Sequence, residues 1–265
     1  MASRTKQKEE ARARRLAEEQ ARQERERRAR RLQTLGGVVI IAVLIVGILI
    51  AISSSGGSSS PLVTGASARQ TADTITSELA GIPQSGNTLG SPSAKVTVTE
   101  FGDLECPVCK SFALNAENSL IKNEVRTGTV RLVYRSLETA TGNSPDPSVF
   151  GPQQAAGIAA GLQNHEWDYV LLFYHLQGDE GTGYVTDAYL NGLAKLIPGL
   201  NYGKWLSDRS SSALSAQVNA DEQAAASKGY NSTPTILVSG PKGQAQPIVG
   251  DTDYGTLQST IKSVQ

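Results

Sequence analysis

Residues 96–112 read VTVTEFGDLECPVCKSF, and the hydrophobic period changes in the middle of them. Val96–Phe101 is rich in β-branched residues and alternates, which predicts a strand. Beyond Leu104 and Glu105 the apolar positions Cys109, Phe112, Ala113, Ala116 and Leu120 recur at three and four residues, one face of a helix. Gly128 closes that unit, and 130–137 (VRLVYRSL) predicts a second strand. Strand, helix and strand of these lengths form a βαβ unit with parallel strands. The pair Cys106-Pro107-Val108-Cys109 falls where the first strand hands over to the helix.

That position has chemical consequences. A helix N-terminus presents unpaired backbone N–H groups and a partial positive charge. A thiolate placed there is stabilised, and its pKa falls from about 8.5 into roughly the 3.5–7.5 range. The thiolate is the attacking species in disulfide exchange. Pro107 sits in the first turn, where its missing N–H is not needed. Spacing assigns Cys106, the more exposed, to meet partners. Cys109, one turn in and more buried, is the resolving thiol.

The other cysteine chemistries fit less well. The chain has two cysteines, two histidines and one methionine. Structural zinc needs four ligands and a second pair. A Cu(I)-handling pair is the metal alternative, yet no His or Met lies near it in sequence. A structural bridge closing so short a loop would constrain the unfolded chain little. No metal site and no cofactor beyond the cysteine pair is expected.

Around this core the chain has 265 residues and 25 charges of each sign, unevenly placed. Residues 1–35 hold 12 Lys+Arg and 6 Asp+Glu, leaving 13 and 19 in the remainder. The split suggests two compartments rather than a nucleic-acid surface. Residues 1–35 read as a charged cytoplasmic arm with strong helix formers and no apolar stripe. Residues 36–52 (GGVVIIAVLIVGILIAI) are all apolar or Gly and just long enough to span a bilayer as one helix. Arg28, Arg30 and Arg31 before it place the N-terminus inside and the remainder outside. A cleaved signal peptide is the competing reading, but the leader is long and acidic, and Ala66-Ser67-Ala68 lies far past the apolar run. Residues 53–88 begin SSSGGSSS and predict a flexible tether, with a short helical pattern around 71–79. The folded domain is expected from Leu89.

Residues 138–228 predict helices at 153–163, 167–176, 186–195, 202–207 and 213–228. A strand at 235–238 (TILV), a turn at 240–243, a paired strand at 245–249 and a helix at 254–264 complete the chain. Three further positions stand out. Glu100 shares a strand face with Val96 and Val98. If that face is the core, its carboxyl is buried near Cys106 with a raised pKa and can relay a proton; a frayed strand end would leave it solvated. Asp103 and Glu105 read as loop carboxylates near the substrate surface. Pro234 opens a strand, which sterics alone permit. His165 and His175 fall in the helical block as surface or interfacial residues, and Trp167, Tyr169 and Phe173 read as core. Asn231-Ser232-Thr233 matches a glycosylation sequon only by pattern.

The stretch TVTEFGDLECPVCKSF together with the distant STPTILV (232–238) resembles the DsbA-like branch of the thioredoxin superfamily. The resemblance spans residues 89–265. It implies an α/β thioredoxin-like fold whose N-terminal half is 89–137, whose helical insertion is 138–228 and whose C-terminal half is 229–265, preceded by the single transmembrane helix. It implies that Pro234 is cis beside Cys106, that Thr233 offers backbone hydrogen bonds to an extended substrate, and that Glu100 is the family's buried acid. The partners implied are exported proteins with free thiols and an integral-membrane protein that reoxidises the pair. The pattern departs at Val108, where many oxidases of this branch carry a thiolate-stabilising His. Dithiol oxidation is therefore the expected activity, with a reductase or isomerase as the alternative in the same class. A non-enzymatic tethered binding module is the alternative in another.

Overall fold

The computed structural model describes residues 63–265. The charged arm 1–35, the expected membrane anchor 36–52 and the Ser/Gly-rich start of the tether lie outside the described residues. Among the described residues no helix is long and apolar enough to cross a membrane.

The fold is α/β, built on one mixed sheet of β1 (Gln84–Ser85), β2 (Thr88–Leu89), β3 (Val96–Gly102), β4 (Val130–Ser136), β5 (Thr235–Gly240), β6 (Gly243–Gln244) and β7 (Ile248–Val249). The strand order is β1-β2-β4-β3-β5-β6, with β7 also pairing with β5. Strand β3 (Val96–Gly102) is central and buried along most of its length. It pairs in parallel with β4 (Val130–Ser136) and antiparallel with β5 (Thr235–Gly240). Parallel pairing requires a crossover, and the helix α2 supplies it over 107–125. This helix is α-helical at Pro107–Phe112 and Asn118–Leu120 and wound as π-turns at Ala113–Glu117 and Ile121–Val125. The expected βαβ unit is thus present, as are the turn after β5 and the last helix, α8 (Tyr254–Val264).

The expected tether 53–88 needs correction. From residue 63 onward the chain is folded, not a tether. Helix α1 (Gly65–Leu79) buries Ala68, Ala72, Ile75 and Leu79, spaced at four, three and four residues. A short hairpin follows, β1 (Gln84–Ser85) with β2 (Thr88–Leu89), and β2 extends the sheet alongside β4. The helical pattern expected around 71–79 is the second half of α1, and the small and polar residues before it hid where the helix starts. Arg126 ties it down by donating to the carbonyls of Ala80, at 3.0 Å, and Glu78.

The insertion carries α3 (Phe150–Gly161), α4 (Glu166–His175), α5 (Asp187–Leu196), α6 (Tyr202–Asp208) and α7 (Ser212–Ser227). Its core is aromatic, as expected of Trp167, Tyr169 and Phe173, all fully buried. Trp205 stacks on Tyr169 and Tyr202, and its indole N–H donates to the Ala156 carbonyl at 2.8 Å. One face of the sheet joins this core through Val98, Leu132 and Val238, which lie abreast in register. On the other face Phe101, Leu137 and Ala225 form a smaller cluster under α7.

Candidate active site

Strand β3 ends at Gly102, and the turn 103–106 delivers Cys106 to the N-cap of α2. Gly102 is required by close approach: a Cβ there would lie 2.8 Å from the Tyr134 ring and 3.0 Å from both a Glu100 carboxyl oxygen and the Tyr174 hydroxyl. The turn is held from within by Asp103. Its carboxylate accepts from the backbone N–H of Glu105 at 3.0 Å, Thr139 at 2.8 Å and Thr141 at 2.9 Å, and from the Thr141 hydroxyl at 2.6 Å. Gln177, beyond α4, donates its amide N–H to the carbonyls of Leu104 at 2.7 Å and Cys106 at 3.2 Å. Both ends of the cysteine turn are therefore braced by the insertion.

Both cysteines are free thiols. The Cys106 sulfur accepts from the backbone N–H of Cys109 at 3.5 Å and lies 3.5 Å from the carbonyl of Thr233. The Thr233–Pro234 peptide is cis, as the resemblance implied. Thr139 and Thr233 join hydroxyl to hydroxyl, so the proline loop and the insertion meet beside the cysteines. Cys109 is 0 % exposed and Cys106 5 %, so Cys106 is the more exposed of the two, as expected, yet is itself buried. Val108, by contrast, is 41 % exposed and forms an apolar lip next to the cysteines.

The two thiols are tuned in opposite directions. Cys106 is lowered to about 6, chiefly by the hydrogen bond from the Cys109 side chain, with help from Thr233 and the backbone N–H groups of Cys109 and Val108. Burial works against it. Cys109 is pushed well above the ordinary thiol value, first by burial. This is the helix-start thiolate and buried-thiol pair that the spacing predicts.

Glu100 is buried, 1 % exposed, on the core face of β3 between Tyr134 and Ile236 in register. Burial first, then the charges of Glu117 and Cys106, raise it well above the carboxylate range. Asp103 and Glu105 are not surface carboxylates: both are buried, and burial lifts Glu105 to about 7. His165 is half-buried beside Asp168, and His175 is exposed, in line with expectation for both. Glu117 was not singled out from the sequence. It completes the inward pattern 113, 116, 117, 120, so the signal was a lone carboxylate in an apolar stripe. Thr139 and Gln177 carry no comparable signal, because what matters is where the insertion returns them.

Residues 84–262 match the family described as Thioredoxin. The chain is similar to the disulfide bond formation protein D of Bacillus subtilis (strain 168), 25% identical over 181 residues, covering 66% of this chain and 74% of the relative. Among solved structures it is similar to oxidised BdbD from Bacillus subtilis, with TM-score 0.58 and 23% identity, over 68% of this chain and 95% of that one. It is also similar to Chlamydia trachomatis DsbA, with TM-score 0.55 and 20% identity, over 67% and 90%. The match over most of the chain, the cysteine turn on α2 and the adjoining cis-proline loop agree: the chain belongs to the thioredoxin family, as a DsbA-like thiol–disulfide oxidoreductase.

Proposed function

We propose that this protein introduces disulfide bonds into exported proteins outside the cell membrane, by dithiol–disulfide exchange through Cys106 and Cys109. The observation that carries the reading is the placement of Cys106 at the N-cap of α2, 3.5 Å from the carbonyl of the cis Thr233–Pro234 loop, with Cys109 fully buried one turn further in; this arrangement lowers Cys106 and raises Cys109. In the oxidised protein a substrate thiolate attacks the Cys106 sulfur, and the Cys106–Cys109 bond breaks. Cys109 leaves as a thiolate and, having a high pKa, takes up a proton. A second substrate thiolate then attacks the substrate sulfur of the mixed disulfide, and Cys106 departs as a thiolate. Two substrate thiols have become a disulfide, and the two electrons reside on the cysteine pair. A low-pKa thiolate is a good leaving group, which drives this direction.

The chain's other site residues have distinct parts. Pro107 starts the helix that stabilises the thiolate. Val108 offers an apolar contact to the incoming segment. Thr233, before Pro234, offers backbone groups to an extended substrate in the manner of strand addition. Glu100 exchanges a proton with Cys109. A membrane anchor at 36–52 keeps this domain at the outer surface, where an integral-membrane partner reoxidises the pair. No metal or other cofactor takes part in this cycle.

The test is oxidation of a reduced, unfolded substrate protein by the purified full chain, with Cys106→Ser and Cys109→Ser beside it. The reading requires stoichiometric disulfide transfer by the oxidised parent and none by Cys106→Ser; Cys109→Ser, with Cys106 first converted to a mixed disulfide with glutathione, should exchange glutathione for a substrate thiol and accumulate the Cys106–substrate mixed disulfide. A parent that only reduces or reshuffles disulfides would favour the reductase or isomerase. Stoichiometric Cu(I) uptake without exchange would favour a metallochaperone.

A further inference from the structure

Side chains of β3 alternate between two faces of the sheet, and only one face is fully covered. Val98 and Glu100 lie on the core side. Thr99 and Phe101 face the other way, Thr99 abreast of Val133 and Leu237 and Phe101 abreast of Arg135. Helix α7 covers this second face in part, packing Ala225 over Phe101 and Leu137. Between the last turns of α7 and the strands lies an open groove of about 520 Å³. That volume falls within the range of small-ligand sites, about 300–1,000 Å³. No residue of the cysteine turn lines it.

The lining combines apolar surface with charge of one sign. Val133 and Leu237 are half-buried and form the floor. Tyr230 stands over Phe101 edge to face, with ring centroids 5.6 Å apart. The guanidinium of Arg135 lies 5.1 Å from the Phe101 ring centroid, and its Nε donates to the Asp221 carboxylate at 2.7 Å. Those two contacts fix the plane of the fork and use one of its five N–H donors. Among the described residues no acceptor bonds its two terminal nitrogens. Asp221, the acid in the lining, is buried and already engaged: its second oxygen accepts from the Ser136 N–H at 3.1 Å. Glu222, next to it on α7, accepts from the Glu138 N–H at 2.7 Å and does not line the groove. Lys228, at the end of α7, lines the groove, is exposed, and forms no ion pair with a described residue.

We propose that this groove binds a small organic monocarboxylate with a flat apolar body, the carboxylate on the Arg135 fork beside Lys228 and the body over Val133, Leu237 and Tyr230. A planar fork with free terminal N–H groups matches a carboxylate in two parallel hydrogen bonds. Asp221 and Phe101 already hold the guanidinium, so little side-chain freedom is lost on binding. A phosphate dianion fits less well, because α7 brings its C-terminal end, with its partial negative charge, to this wall. A cation would meet Arg135 and Lys228. The site is separate from the cysteine cycle and does not depend on the direction of disulfide transfer.

The test is equilibrium dialysis of 2-naphthoate against the purified full chain, with a chain-free blank. One molecule should bind per chain, more weakly as salt is raised. The neutral isostere 2-naphthamide should bind about tenfold more weakly or not at all. Arg135→Lys keeps a cation for Asp221 but removes the fork, and should weaken 2-naphthoate by about tenfold. Lys228→Gln should weaken it by about two- to fivefold, and Thr99→Trp, which fills the groove, should abolish it. All three variants should still oxidise substrate protein at the parent rate, which shows that the fold is kept. Absence of saturable binding would overturn the proposal, as would equal affinity for the amide, or parent-like binding by both Arg135→Lys and Thr99→Trp. Should the variants fail to fold, backbone amide shifts of the labelled parent decide. On addition of 2-naphthoate they must move at Thr99, Val133, Lys228 and Leu237, and movement confined to Val108 and the cysteine turn overturns the assignment.

Discussion

Replacing Cys109 by Ala isolates the largest influence on the reactive thiol. Cys106 is nearly buried, yet it is lowered from 9.0 to about 6. Those three units correspond to about 4 kcal/mol in favour of the thiolate. The first cause is the hydrogen bond from the Cys109 side chain; the backbone N–H of Cys109, 3.5 Å from the sulfur, survives the substitution. A hydrogen bond to a charged group is worth about 1.5–3 kcal/mol, and a thiol is a weak donor, so the lower end applies. That is about one unit, which moves Cys106 from about 6 to about 7. At pH 6.5 the thiolate fraction then falls from roughly three quarters to roughly one quarter, so alkylation slows about threefold. The assay is iodoacetamide alkylation followed from pH 4 to 9, with the thiolate absorbance near 240 nm as a second readout. Identical midpoints in parent and variant would refute the assignment of Cys109 as the main stabilising partner, and a parent midpoint near 9 would refute the thiolate site altogether.

Other consequences follow from the same geometry. Because the folded value of Cys106 is depressed, it adds stability to the reduced protein that is complete above pH 9 and lost as pH falls toward 6; chemical denaturation at pH 6 and pH 8.5 should show this slope in the parent and not in Cys106→Ser. Glu166 is buried with an unpartnered oxygen and raised to about 8, so its contribution has the opposite sign: it is present in acid and lost as pH rises from about 4.5 through 8. Glu166→Gln should therefore match the parent at pH 5 and melt several degrees above it at pH 8.5; equal melting at both would contradict the burial. Gly102→Ala puts a methyl against Tyr134, Glu100 and Tyr174 and should destabilise by about 1–3 kcal/mol in urea melts, whereas a neutral outcome would mean the cluster is loose. Asp103→Asn turns an N–H donor toward the Thr139 and Thr141 N–H groups. It should lose about 1–3 kcal/mol and increase hydrogen exchange in the turn 103–106; an unchanged exchange rate would deny the brace.

What the sequence discloses depends on how local the signal is. The strand before the cysteines, the helix after them and the proline before TILV are written in consecutive residues, and each takes its expected place. Helix α1 was legible in its second half, as the helical pattern around 71–79; its first turns were not, because every residue of 65–79 other than Ala68, Ala72, Ile75 and Leu79 is small or polar. Asp103 looked like a loop acid because its partners, Thr139 and Thr141, lie more than thirty residues away. Cys106 lies 3.5 Å from the Thr233 carbonyl, a contact that their distance in sequence does not disclose. Glu117 lay in plain view on an apolar stripe, and only the packed fold shows that its carboxyl is buried.

The most direct test of the central claim is the reduction potential of the Cys106–Cys109 pair in the full chain, by equilibration against glutathione buffers at pH 7. A thiolate depressed to about 6 stabilises the reduced state, by about 1.4 kcal/mol at pH 7, or roughly 30 mV from this cause alone. The account predicts a potential well above that of the glutathione couple, toward the about −120 mV of strongly oxidising members of this fold. A value near or below the about −270 mV of thioredoxin would contradict it, and would mean that the pair accepts electrons in order to reduce its substrates.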